Sequence, residues 1–170
     1  MAKELKQCSL EPAYIIEMFV TAANPVGEIA NGSTFIHYEF SVGSMSTVDS
    51  YTGTHVEGQI VNAGDWMWID PSKEHASVKV KGIVRTLNNA SLYFSWTGHA
   101  FIDEDKSEPD QQGPGLPFGE LTTLNRFEAG DPSLKELSSA CFVGIGRYIL
   151  RNGQIGVELG IARVVPLSEM

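Results

Sequence analysis

Asp65 is the side chain in this sequence best placed to move a proton. It stands in Val61-Asn62-Ala63-Gly64-Asp65-Trp66-Met67-Trp68, where one carboxylate and two indoles crowd around a glycine. Burial can tune a carboxyl towards neutral pH, where general acid–base transfer is most efficient. Side chains alternate along an extended chain, so Trp66 and Trp68 share one face while Asp65 and Met67 share the other. Gly64 suits a bulge or sharp bend that would aim the acid and a large aromatic at a cavity. The plainer reading is a buried turn in which Asp65 accepts hydrogen bonds from nearby backbone N–H groups.

Two histidines stand behind Asp65 as acid or base. His99 ends the polar row Ser91, Tyr93, Ser95, Thr97, and His37 sits between Phe35 and Glu39 on another strand-like row. A solitary histidine is more often structural than catalytic. Trp66 and Trp96 offer aromatic walls for a planar substrate. Tyr38, Tyr93, Lys81 and Arg85 could bind a phenolate or enolate oxygen and steady negative charge as it develops. Lys81 and Arg85 share a face, and two cations on one sheet face are usually simply solvated.

Other chemistries lack their motifs. No glycine-rich phosphate loop leads from a strand into a helix. His37, His55, His75 and His99 never fall at H-x-H or H-E-x-x-H spacing, and no Gly-x-Ser-x-Gly elbow presents a nucleophile. The expected chemistry is acid–base work with no cofactor and no metal. Gly144-Ile145-Gly146 reads as a place of close backbone packing.

The elements that must position these residues read as strands. Tyr14 to Ala22 is a β-rich run ending at a turn, Asn24-Pro25-Val26-Gly27, with a loop from Glu28 to Gly32. Ser33 to Val42 alternates, Gly43 to Gly53 reads as a connection, and Thr54 to Asn62 resumes strand character. His75 to Thr86 and Ala90 to Phe101 form a hairpin about Asn88-Asn89, with Val78, Val80, Gly82 and Val84 on one face. Leu92, Phe94, Trp96, Gly98 and Ala100 share a face of the second strand. Asp103 to Pro117 is a long acidic excursion rich in Pro and Gly, of the kind that is a mobile loop or a lid. Gly119 to Ala129 is a strand, and Asp131-Pro132-Ser133 caps one short helix carrying Leu134 and Leu137. Ala140 to Leu150 and Gln154 to Val165 close the chain around Arg151-Asn152-Gly153. About eight short strands and one helix predict an all-β protein, an antiparallel barrel or sandwich. A barrel of that size holds side chains or one small ligand.

The 170 residues suit a single domain, 1–170, with no repeat and no linker. Apolar residues make up 42% and charged residues 19%, and the net charge is −9. An acidic chain with no basic run is a poor partner for nucleic acid or an anionic membrane. No apolar run approaches a membrane span and the first residues lack a signal-like core, so a cytoplasmic location is expected. Cys8 and Cys141 are far apart, and Cys141, in an apolar run, is expected to be a buried inert thiol.

Several stretches together resemble the DUF3237 (UPF0311) family of small calycin-like β-barrel proteins. They are Leu10-Glu11-Pro12, Val26-Gly27, the segment from Gly58 to Gly64-Asp65-Trp66, Phe127-Glu128-Ala129-Gly130-Asp131-Pro132, Leu137 and Phe142-Val143-Gly144-Ile145-Gly146-Arg147. They follow the family order across nearly the whole chain. Three departures fall in and around the barrel. Asn62-Ala63-Gly64-Asp65-Trp66 replaces a Gly-Gly-Ala-Asp-Trp type sequence, Asn88-Asn89 replaces an Asp-Gly turn, and Lys81-Gly82 replaces an Arg-Tyr pair. The resemblance implies a calycin-like barrel, a homodimer, and a place in fungal natural-product pathways. There such proteins are expected to act as cofactor-free isomerases or cyclases on aromatic or polyketide-type small molecules. A non-catalytic ligand-binding barrel is the alternative, with a structural subunit of a larger complex third. The apolar last strand, Ile155 to Val165, gives the homodimer a face to pair through.

Overall fold

Period-two alternation of apolar residues runs through most of the chain, and it becomes one continuous sheet. In the computed structural model, which describes residues 7–102 and 119–166, eight antiparallel strands close into a barrel in sequence order. They are β1 (Cys8–Glu28), β2 (Thr34–Thr47), β3 (Glu57–Ile69), β4 (His75–Thr86), β5 (Ser91–Phe101), β6 (Leu121–Ala129), β7 (Phe142–Arg151) and β8 (Gln154–Pro166). β8 completes the ring by pairing with β1, Leu159 opposite Ile16. Closure leaves no long edge strand exposed for aggregation. The acidic excursion expected at Asp103 to Pro117 lies outside the described residues.

Two tight turns follow from residues that tolerate positive φ. Asn89 has φ 66° and its N–H donates to Thr86 O at 2.9 Å, joining β4 to β5. Asn152 and Gly153, with φ 52° and 75°, join β7 to β8 in the left-handed pair that matches the twist of a hairpin.

Several boundaries differ from the sequence expectation. β1 continues through Asn24-Pro25-Val26-Gly27, with Asn24 opposite His37 and a bulge between Pro25 and Gly27. Proline is tolerated there because β8 no longer flanks β1 beyond Phe19, so the missing N–H has no partner to lose. β2 runs on to Thr47 rather than ending near Gly43, and β3 runs through Asp65 to Ile69. Gly64 is therefore no bend. It pairs with Glu39 on one side and Lys81 on the other, and the irregularity of β3 falls earlier, between Ile60 and Asn62.

The helix is a 3₁₀-helix, Pro132–Ser139, capped by Asp131, which accepts from Ser133 N at 2.9 Å and Ser133 Oγ at 2.6 Å. Residues three apart eclipse in such a helix, so Leu134 and Leu137 are buried together. They join a core that includes Tyr14, Tyr51, Phe127 and Phe142. Tyr14 meets Tyr51 edge-on at 5.3 Å, and Phe127 meets Phe142 edge-on at 5.2 Å. The Tyr14 hydroxyl donates to Thr54 O at 2.7 Å, and burial pushes its ionisation well above the ordinary phenol range. Elsewhere in the barrel, side chains packed against the core, including Val20, Tyr38, Ile69, Tyr148 and Val157, are only half-buried.

Cys141 is exposed, as is Cys8. The alternation that turns Phe142 inward turns its neighbour outward, which corrects the expectation of a buried thiol. No helix among the described residues is long and apolar enough to cross a membrane.

Candidate functional site

One rung of the barrel carries the polar interior. Tyr38 on β2 pairs with Asp65 on β3, Asp65 with Val80, Val80 with Trp96, and Trp96 with Asn125 on β6. Partners across a ladder point to the same side of the sheet. Here that side is inward, with Val80, Trp96 and Asn125 at most 4% exposed and Asp65 at 9%. Tyr148 adds to the group from β7, on the opposite wall from β3 in the ring of eight.

Three buried polar atoms on this rung have no hydrogen-bond partner from the protein: Asp65 Oδ1, Trp96 Nε1 and Asn125 Oδ1. Each such group costs about 1–3 kcal/mol when left unsatisfied, so the three call for a partner inside the barrel, from water or a bound molecule. Asn125 is held by its own amide, Nδ2 donating to Thr123 Oγ1 at 2.9 Å. Gly144 makes this pair possible, since a side chain there would collide with both Thr123 Oγ1 and Asn125 Nδ2.

Burial drives the electrostatics. It pushes the Asp65 carboxyl up to about 7, with a backbone hydrogen bond at Lys79 opposing the shift. Tyr38 is raised by burial and then by the neighbouring Asp65 charge. Tyr148 is raised strongly by burial, then by the charges of Asp65, Tyr38 and Glu120. At neutral pH the carboxyl therefore sits between its two protonation states while both phenols keep their protons. One group can exchange a proton, and two can donate hydrogen bonds to an oxyanion.

The structure divides the residues chosen from sequence. Asp65, Tyr38 and Trp96 come together inside. His37, Trp66, Lys81 and Tyr93 point outward and line a separate cleft of about 440 Å³ on the barrel wall. There the His37 and Trp66 rings lie 4.8 Å apart, and Phe35 stacks on Trp68 at 4.9 Å beside them. Arg85 is exposed and donates to Asn89 O at 3.5 Å. His99 is exposed between Ser77 and Thr122. Neither of these two joins the interior group or the cleft.

Tyr148 and Asn125 were not singled out by residue type. Their signal lay in phase: Leu121, Thr123, Asn125 and Phe127 share a face, as do Phe142, Gly144, Gly146 and Tyr148. Once the apolar members are known to face inward, the polar ones follow. Among the described residues no three His, Cys, Asp or Glu side chains gather as metal ligands would.

Fold and site together define a closed eight-stranded barrel with an acid and two phenols directed into it. The chain belongs to the DUF3237 family: the family described as "Protein of unknown function (DUF3237)" matches residues 8–164. Among solved structures it is similar to a conserved protein of unknown function from Rhodopseudomonas palustris, at 19% identity and TM-score 0.74, covering 95% of this chain and 100% of that one. A β-barrel-like protein from Acinetobacter baumannii follows at 17% identity and TM-score 0.70, covering 96% and 99%. An enzyme from Penicillium herquei is similar at 9% identity and TM-score 0.63, again covering 96% and 99%. At these identities what is shared is the fold, and one fold hosts many functions. No curated protein matches the chain.

Proposed function

We propose that the protein is a cofactor-independent isomerase or cyclase acting by acid–base chemistry on an aromatic or polyketide-type small molecule. The observation that carries this reading is the inward Asp65 carboxyl, raised to about 7 and with Oδ1 unpartnered. Its carboxylate takes a proton from one position of the substrate and returns it at another, so the molecular formula does not change. Tyr38 and Tyr148 donate hydrogen bonds to the oxygen that gains negative charge between those steps. The Phe94 and Trp96 rings, stacked at 5.4 Å, give a flat aromatic wall inside the barrel, with Trp96 on the rung of the acid. Support for the substrate class, and for a place in fungal secondary metabolism, comes from the family resemblance.

The test is solvent exchange. A panel of enolisable hydroxyaryl ketones is incubated with the protein in D₂O, and deuterium uptake is followed by mass spectrometry. Asp65→Asn should slow catalysed uptake by about 10²–10⁴, the range of a general acid–base group, with no loss of melting temperature. Uptake within tenfold of wild type (about one decade, below that range) would remove Asp65 from the chemistry.

A non-catalytic ligand-binding barrel is the second reading. The observation favouring it is the unpartnered Trp96 Nε1–H and Asn125 Oδ1, a donor and an acceptor that suit static recognition. Saturable binding with no exchange in wild type would select it.

A further inference from the structure

The wall of the barrel has a seam. Phe40 pairs with Ala63, and pairing between β2 and β3 resumes only at Ser44 with Gln59. The outer cleft of about 440 Å³ opens beside this break, within the size range of small-molecule sites. Its floor includes Phe40 and Ala63, both otherwise buried. The His37 and Trp66 side chains lie over Gly64. A side chain at that position would come within 2.8 Å of His37 Nε2 and 3.1 Å of the Trp66 ring.

Three cations cluster on the strand that forms one side of the cleft, and one of them, Lys81, lines it. The molecule carries −9, yet Lys79, Lys81 and Arg85, three of its twelve Lys and Arg residues, fall within seven positions on the outer face of β4. Lys79 is already placed over the Trp68 ring at 5.6 Å, and Arg85 donates to Asn89 O. Glu39, on the opposite side of the cleft, is engaged by Asn24 Nδ2 at 2.9 Å. Lys81 has no hydrogen bond or ion pair among the described residues. The cleft thus carries one carboxylate, hydrogen-bonded by Asn24 but still charged, and one cation, Lys81, with no bonded partner; Trp66 and Tyr93 stand on either side of that cation, on β3 and β5.

We propose that this cleft is a second small-molecule site, separate from the barrel interior, which takes an aromatic carboxylate. The ring lies between Trp66 and Tyr93 over Phe40, and the carboxylate accepts from Lys81 Nζ. A charge-assisted bond of this kind needs only one fixed cation, and the aromatic walls supply area without further charge.

2-Naphthoate is the probe, followed by calorimetry and by tryptophan fluorescence, with neutral 2-naphthamide beside it. Wild type should bind the acid saturably and the amide about tenfold or more weakly, the discrimination a charge-assisted contact supports. Lys81→Gln should lose that preference, and Gly64→Ala, which presses on the His37 and Trp66 rings that line the cleft, should weaken both probes. Lys81 is exposed, so unchanged melting temperature will confirm that its variant is folded. Asp65→Asn should leave naphthoate binding unchanged, which keeps this result independent of the interior chemistry. Absence of saturable binding, wild-type affinity in Lys81→Gln, or loss of binding in Asp65→Asn would each overturn the proposal.

Discussion

At the scale of the residue, Asp65 links chemistry to stability. Its folded value of about 7 lies well above the ordinary 3.8. Between those two values the native state holds a proton that the unfolded chain has released. Stability from this group is therefore complete below about pH 4 and is lost as pH rises through about 7. Asp70 and Asp131, both lowered by their bonds to Ser72 and Ser133, act in the opposite sense at lower pH. Comparison with Asp65→Asn isolates the Asp65 contribution. Urea midpoints from pH 4 to pH 8 should fall in wild type relative to the variant, by on the order of a few kcal/mol in unfolding free energy. Parallel curves would mean that the carboxyl is not protonated in the native barrel.

At the scale of the element, glycines inside the strands set how the barrel is filled. Gly82 on β4 lies on the inner rung beside Ala63 and Phe94, and a methyl group there would collide with both. Gly82→Ala should lower unfolding free energy by about 1–3 kcal/mol, the usual cost of overpacking a core, measured as a shift in denaturant midpoint. The substitution sits one rung from Asp65, so any loss of exchange activity beyond this destabilisation would report on the shape of the interior. A neutral effect would show that Phe94 can rotate away without cost.

At the scale of the whole molecule, two outward rows lack charge. Thr122, Ile145, Gly160 and Ile15 follow one another across β6, β7, β8 and β1, and Leu124, Val143, Ala162 and Pro12 form the next row. Leu124, Ile145 and Ile15 are 62%, 48% and 39% exposed. On a chain of net charge −9, this is a face on which two copies could meet without burying a charge. The homodimer suggested by the apolar β8 would use it. Sedimentation at micromolar concentration should return twice the 18.5 kDa chain, and Leu124→Lys should return the monomer. A wild-type monomer would retire the dimer.

Period-two alternation was enough to put Val78, Val80, Gly82 and Val84 on one face, and Leu92, Phe94, Trp96 and Ala100 on another. It separated Asp65 from Trp66 for the same reason, because side-chain direction along a strand is a local property. Turn residues were legible at Asn88-Asn89 and Arg151-Asn152-Gly153, where positive φ selects the residue type. Local pattern did not decide how far β1, β2 and β3 extend, since strand ends depend on which neighbour supplies the next hydrogen bond. It also left open which polar row faces inward. Lys81 and Tyr93 lie outside and Tyr148 inside because closure of β8 on β1 assigns one face of every strand to the interior at once. Asp65 was visible as an acid in the chain, but its setting was not. The burial that raises it, and the phenols beside it on β2 and across from it on β7, exist only when residues about 30 and 80 positions apart are brought together inside the barrel, where low dielectric acts on them together.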